Sequence, residues 1–240
     1  VDKGVLLVEE KNVSRLKARE AEKEPDSIAF NEHQKKAIDA IKQGFTEKDV
    51  SLLHGITSSG KTEIYIHLID EVIRKGKQVL YLLPEIALTT QIIRRLQTYF
   101  GKQVGVYHSR YNERERVEIW KKVTSKDPDE RYNIILGARS SVFLPFRELG
   151  MVIVDEEHDQ SYKQFAPAPR HHDRDSAIYL AGLHGAKSLL HTATPSLESY
   201  FNASAGKYQL VELNHRYRDL HLPEIILSDF RRGSRQKNTS

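Results

Sequence analysis

The stretch that constrains this chain most is Gly55-Ile56-Thr57-Ser58-Ser59-Gly60-Lys61-Thr62. It follows the apolar run Val50-Ser51-Leu52-Leu53 and precedes a long amphipathic segment, so a strand must turn directly into a helix there. The pattern G-x-x-x-x-G-K-T is that of a phosphate-binding loop. Its glycines let the backbone fold back, so that successive N–H groups point at an anion above the positive end of the following helix. On this reading Gly55, Thr57, Ser58, Ser59 and Gly60 cradle phosphates, Lys61 reaches the β- and γ-phosphates, and the Thr62 hydroxyl ligates Mg²⁺. A Gly/Ser-rich turn without a ligand has the same composition, but the strand-then-helix context favours the phosphate site.

From residue 28 onward apolar runs alternate with helical segments. An amphipathic segment sets Ala37, Ile38 and Ile41 on one face. Strands are predicted over 50–53, 79–83, 104–107, 134–137, 151–154 and 188–192, with helices starting at Lys61, over 86–100 and through a charged stretch to Trp120. The strand runs are continuously apolar, so both of their faces are covered. Strands separated by helices imply a mostly parallel sheet flanked on both sides, an α/β fold. Residues 1–27, with a run of Lys, Arg and Glu, read as a connecting segment, 28–207 as the nucleotide-binding lobe, and 208–240 as the start of a further connection. A short strand, a basic loop at His215-Arg216-Tyr217-Arg218 and an apolar run at 225–227 are expected in that last part.

The 240 residues can bury a substantial core, and a net charge of +4 permits a polyanionic partner without requiring one. The absence of cysteine removes disulfides and thiolate metal sites from this chain and is consistent with a cytosolic location. No apolar run reaches membrane-spanning length, so no membrane partner is expected.

A second motif, Met151-Val152-Ile153-Val154-Asp155-Glu156-Glu157-His158, is an apolar strand ending in acids. Hydrolysis of ATP needs a metal near the phosphates and a group that positions water. Asp155 suits Mg²⁺, directly or through water, and Glu156 suits the water. His158 reads either as a polar surface residue or as a sensor of the γ-phosphate that relays its state.

The order of these and further motifs resembles the first motor lobe of superfamily 2 helicases. Asp155-Glu156-Glu157-His158 is similar to the DEAH-like branch. Ser161-Tyr162-Lys163-Gln164, followed by Pro169-Arg170 and Arg174-Asp175, resembles the primosomal replication-restart helicases within it. Asn31 to Gln34 is similar to an adenine-reading Q-type motif with Gln34 as its glutamine, 84–89 to motif Ia, 137–143 to motif Ib, and Thr192-Ala193-Thr194-Pro195-Ser196 to motif III. His108-Ser109, Glu115-Arg116 and Trp120 fall at the family's spacing between motifs Ia and Ib.

The resemblance implies a RecA-like lobe using ATP and Mg²⁺. The expected parent is a 3′-to-5′ DNA helicase of the bacterial cytoplasm that unwinds stalled or collapsed forks and helps reload the replisome. Its partners would be forked and single-stranded DNA, primosome proteins and single-stranded DNA-binding protein. Thr89, Arg139 and Ser140 would hold DNA phosphates, although each is equally at home as a cap or turn residue. Tyr162, Lys163, Phe165 and Arg170 belong to a loop expected to meet DNA, its aromatic rings either stacking on bases or anchoring the loop to the core. Thr192 and Thr194 would couple ATP state to DNA grip. Two residues depart from the family's pattern: His171 stands where Tyr is usual and Asp173 where Ala is common. The adjacent His171 and His172 read as loop polarity, not as a metal site. The family's second lobe and its zinc-binding cysteines are not in this sequence, so the chain is expected to be a piece of a longer protein with little activity alone. Another superfamily 2 translocase, or an ATP-independent DNA-binding scaffold, remains as an alternative.

Overall fold

A computed structural model describes residues 19–56, 59–84, 87, 90–108, 111–165, 168 and 170–214. Within them the chain runs α1 (Glu32–Glu47), β1 (Val50–Gly55), α2 (Lys61–Arg74), β2 (Gln78–Leu82), α3 (Thr90–Phe100), β3 (Val104–Tyr107) and α4 (Glu113–Thr124). It continues through β4 (Ile134–Gly137), β5 (Leu149–Val154), α5 (Asp173–Leu183), β6 (Lys187–Thr192), α6 (Leu197–Ser204) and β7 (Gln209–Leu213). The strands form one sheet in the order β3-β4-β2-β5-β6-β1-β7, and every neighbouring pair is parallel. The expected α/β architecture is therefore present.

The period of two along each strand divides the core between two layers. Leu53, Val79, Tyr81, Ile134, Leu136, Met151, Ile153 and Leu189 face α1, α2 and α3. Their neighbours Leu52, Leu80, Leu82, Ile135, Val152, Val154 and Leu190 face α4, α5 and α6. Both faces are dry, which is why these strands read as continuous apolar runs and not as alternating ones.

Local chemistry sets the helix starts. Asn31 and Gln34 form a reciprocal capping box at α1, and Asn112 and Glu115 form another at α4. The helix expected over 86–100 begins at Thr90 as α3. Ahead of it Ala87 closes a turn onto the carbonyl of Pro84, at 2.9 Å.

The sheet extends past residue 207, where the lobe was expected to end. β7 pairs with β1 from Ser51↔Gln209 to Gly55↔Leu213, so the lobe includes the residues through Leu213. The stretch before residue 28 also lies on the lobe: the Glu22 and Lys23 N–H groups bond the Thr98 carbonyl at 2.8 and 2.9 Å, and Asp26 pairs with Arg74 at 2.6 Å. Residues 1–18 of the expected connecting segment, and the basic loop and apolar run expected over 215–227, lie outside the described residues. Among the described residues, no helix is long and apolar enough to cross a membrane.

Candidate active site

β6 lies between β1 and β5, so the loop after β1 and the acidic turn after β5 emerge at the same carboxyl edge, on either side of β6. Ligands of open parallel sheets bind at that edge. Gly60 caps α2 with φ 80°, a left-handed conformation that side chains disfavour. A Cβ there would also stand 2.3 Å from Gln34 Nε2. Lys61 Nζ donates to the carbonyls of Gly55 and Ile56, at 2.7 and 3.0 Å, spanning the root of the loop. Burial pushes the Lys61 ammonium below its ordinary value, against the opposing pull of the Glu156 and Asp155 charges. Ser59 is buried, and its Oγ has no hydrogen-bond partner among the described residues. A buried donor without a partner, beside a glycine-rich turn and a helix start, is the chemistry a phosphate would complete. Thr62 lies in the first turn of α2, while Thr57 and Ser58 lie outside the described residues.

Gln34 is fully buried, and its carboxamide is already committed. Its Oε1 accepts from the Asn31 N–H at 3.0 Å and its Nε2 donates to the Gly60 carbonyl at 3.0 Å. The glutamine thus ties the start of α1 to the phosphate loop. Beside that loop, where Ile56 N–H bonds the Leu213 carbonyl at 3.3 Å, a groove opens between α1 and β7. It is lined by His33, Lys36, Ala37, Leu213 and Asn214, among others.

Asp155 stands at the end of β5 with three donors around its carboxylate. His191 Nδ1 and the Glu156 N–H reach Oδ1 at 2.5 and 3.1 Å, and the Tyr81 hydroxyl reaches Oδ2 at 3.1 Å. Burial works to raise the Asp155 pKa, but these donors, His191 foremost, outweigh it and hold the carboxyl below its ordinary value. Burial, reinforced by the Asp155 charge, pushes the Tyr65 and Tyr81 hydroxyls well above the usual tyrosine value, so they remain neutral. Glu156 adopts φ 45°, the one positive φ outside glycine among the described residues. Such strain persists where surrounding structure imposes it and gathers at functional turns. Asp155, Glu156 and His191 bring possible ligand atoms within 4.8 Å of one another. The oxygens of Asp155, Glu156 and Thr62 are hard ligands and fit Mg²⁺.

His158 reaches motif III. Its Nδ1 lies 2.6 Å from Thr192 Oγ1 and its Nε2 3.3 Å from Thr194 Oγ1, while Thr192 Oγ1 accepts the Thr194 N–H at 3.0 Å. The sequence-level candidates His158, Thr192 and Thr194 are thus one connected group.

Glu157, which no motif singled out for a role, is the buried centre of a second group. Its carboxylate accepts from the Ser196 N–H and hydroxyl at 2.7 and 2.9 Å, the Ser199 hydroxyl at 2.8 Å, and Arg174 at 2.8 Å. Arg174 in turn bonds Ser196 Oγ at 2.9 Å and Asp175 at 2.9 Å. The acidic turn, α5 and the start of α6 are joined by one ion pair.

The residues expected at DNA divide. Arg139 and Ser140 are exposed on a 3-10 turn, Arg139–Phe143, and Lys163, Phe165 and Arg170 are exposed beyond the acidic turn. Phe165 is 65 % exposed, with Lys163 Nζ 5.6 Å from its ring centre. Thr89 lies outside the described residues. Tyr162 is a correction: it is wholly buried and donates to the carbonyls of Asp155 and Leu82 at 2.6 and 3.2 Å. It cannot stack on a base, because its ring belongs to the core and its hydroxyl anchors the loop to the end of β5. Tyr162→Phe should therefore destabilise the lobe by about 1–3 kcal/mol, the cost of taking the donor from the Asp155 carbonyl, while the Leu82 carbonyl still accepts the Asp155 N–H at 2.9 Å. Urea unfolding followed by circular dichroism measures this, and an unchanged midpoint would contradict the anchoring role. His171 and Asp173, the two departures from the family pattern, pair with each other: His171 Nε2 is 2.9 Å from the buried Asp173 carboxylate.

Residues 31–202 match the model of the DEAD/DEAH box helicases. The chain belongs to the DEAD/DEAH box helicase family. It is also 41% identical to the Replication restart protein PriA of Bacillus subtilis, an alignment covering 91% of this chain and 27% of that protein. With the PriA of Rickettsia felis it shares 42% identity, over 88% of this chain and 31% of that protein. The chain thus spans about a third or less of the relatives it matches. In fold, this helicase lobe is similar to the DUF1998 helicase MrfA bound to DNA, with TM-score 0.53 and 18% identity over 76% of this chain and 27% of that one. It is similar also to the Mycobacterium smegmatis helicase Lhr bound to single-stranded DNA and AMP-PNP, with TM-score 0.52 and 21% identity over 78% and 26%.

Proposed function

We propose that this chain is the ATP-binding motor lobe of a DNA helicase that moves 3′-to-5′, unwinds stalled or collapsed replication forks and helps reload the replisome in the bacterial cytoplasm. The observation that carries the reading is the convergence of Lys61, Asp155 and Glu156 at one edge of the sheet, beside the buried Ser59, whose Oγ has no hydrogen-bond partner among the described residues. The likeness to the PriA proteins supports the replication-restart assignment, and with it forked DNA, primosome proteins and single-stranded DNA-binding protein as partners.

ATP would place its phosphates over the start of α2, with Lys61 released from the Gly55 and Ile56 carbonyls to meet them. Thr62 and Asp155 would hold Mg²⁺, which draws charge from the phosphate oxygens. Glu156 would orient the attacking water, and His158 would carry the state of that turn to Thr192 and Thr194. Gln34 would act through Gly60, and the base would lie along the groove between α1 and β7. Arg139, Ser140, Lys163 and Arg170 would hold DNA phosphates, with Thr89 beside them and Phe165 stacking on a base.

The test is DNA-stimulated ATP hydrolysis by the full-length protein, with Phe165→Ala as the probe of the DNA side. Single-stranded DNA should raise turnover, and the variant should weaken DNA affinity by about 1–3 kcal/mol, the value of one stacked base. ATP binding without hydrolysis on any DNA would favour the scaffold, and stimulation unchanged in strength and affinity in the variant would remove Phe165 from the interface.

A further inference from the structure

We propose that His191 is a positioning residue for the metal-binding carboxylate: its Nδ1–H fixes the orientation of Asp155 and thereby sets how tightly the site holds a divalent cation. The inference rests on the reading of Asp155 as a metal ligand.

β5 and β6 run parallel in the register Val154↔Leu190, so Asp155, the first residue past β5, stands beside His191, which is still within β6 and paired with Leu53 of β1. The resulting contact, 2.5 Å between Nδ1 and Oδ1, is at the short end for a charge-assisted hydrogen bond. Asp155 is ionised and can only accept, so the proton resides on Nδ1. A carboxylate offers about four acceptor positions. His191 and the Glu156 N–H occupy both on Oδ1, and the Tyr81 hydroxyl occupies one on Oδ2. The capacity left for a cation or its water is therefore on Oδ2.

The rest of the imidazole gives no other polar reason for its place. His191 is 3 % exposed, and its Nε2 is buried without a hydrogen-bond partner among the described residues. The ring tilts against Tyr65, with centres 5.5 Å apart, a contact that a leucine would fill as well. A histidine that leaves one nitrogen unsatisfied in the core carries a cost, and the bond to Asp155 is what it obtains in return. Residues behind a metal ligand typically govern affinity by 10–100-fold when replaced.

The experiment measures binding of Mn²⁺, by loss of its free paramagnetic resonance signal, to this chain in saturating ADP. His191→Leu, which fills the space without a donor, should weaken Mn²⁺ by about 10–100-fold. His191→Asn places an amide N–H where Nδ1 stands and should retain most of the affinity. His191→Gln sets the same amide one bond further out and should lose it, which keeps the comparison decisive even if the leucine variant folds poorly. Asp155→Asn is the control for the underlying reading. If it leaves Mn²⁺ binding unchanged, the metal assignment itself fails. If Asp155→Asn weakens binding while His191→Leu and His191→Gln do not, or if the asparagine and glutamine variants behave alike, the role of His191 is overturned.

Discussion

Replacing Lys61 with alanine is expected to lower ATP turnover by about 10²–10³-fold, the usual cost of removing one preorganised group from a developing charge, while the unfolding transition of the lobe hardly moves. The two effects separate because Lys61 is held ready at a cost. Its ammonium is partly desolvated, and burial lowers its pKa, so the charged form is less favourable in the folded lobe than in water. Removing it relieves that penalty while losing the two bonds to the Gly55 and Ile56 carbonyls. Single-turnover hydrolysis with saturating DNA and urea unfolding would be measured on the same preparation. Turnover within tenfold of the unsubstituted protein would remove Lys61 from the chemistry, and loss of folding would make it structural.

Lys61 stands out in the sequence because a phosphate-loop pattern is contiguous: the spacing of Gly55, Gly60 and Lys61 proposes the site without knowledge of the fold. The strands were legible for a related reason, since a run such as Met151 to Val154 is apolar on both faces only if both are covered. Their order was not. β7 beside β1 follows from a long-range register that leaves no periodic trace, and this is why the lobe appeared to end before Gln209. Tyr162 failed differently, because an aromatic residue in a polar loop has the same sequence whether it faces a base or the core. His191 looked like one more residue of a buried strand, and its partner Asp155 lies 36 positions away. Only the parallel pairing of β5 with β6 brings the two together.

Glu157 and Arg174 were hidden by the same kind of separation, and they carry the largest stability effect expected here. Arg174→Ala should destabilise the lobe by about 3–5 kcal/mol, because removing one member of a buried ion pair leaves the other charge uncompensated. Glu157 is wholly buried and Arg174 is 9 % exposed along its side chain, so solvent can do little to replace the guanidinium. The Ser196 N–H and the hydroxyls of Ser196 and Ser199 would still donate to the carboxylate, which places the expected value toward the lower end. Urea unfolding by circular dichroism measures the loss. Adding Glu157→Gln to Arg174→Met should recover much of it, since a neutral amide oxygen can still accept from Ser196 and Ser199 while the methionine fills the space of the arginine stem. A loss below 1 kcal/mol for Arg174→Ala would mean that the pair is not what joins α5 to the acidic turn. The consequence also reaches the site. Glu157 sits between the strained Glu156 and His158, so freeing it should let Glu156 leave its positive φ and let His158 drift from Thr192. The doubly substituted protein, in which residue 157 keeps its bonds to Ser196 and Ser199, should regain with its stability the hydrolysis that Arg174→Ala loses.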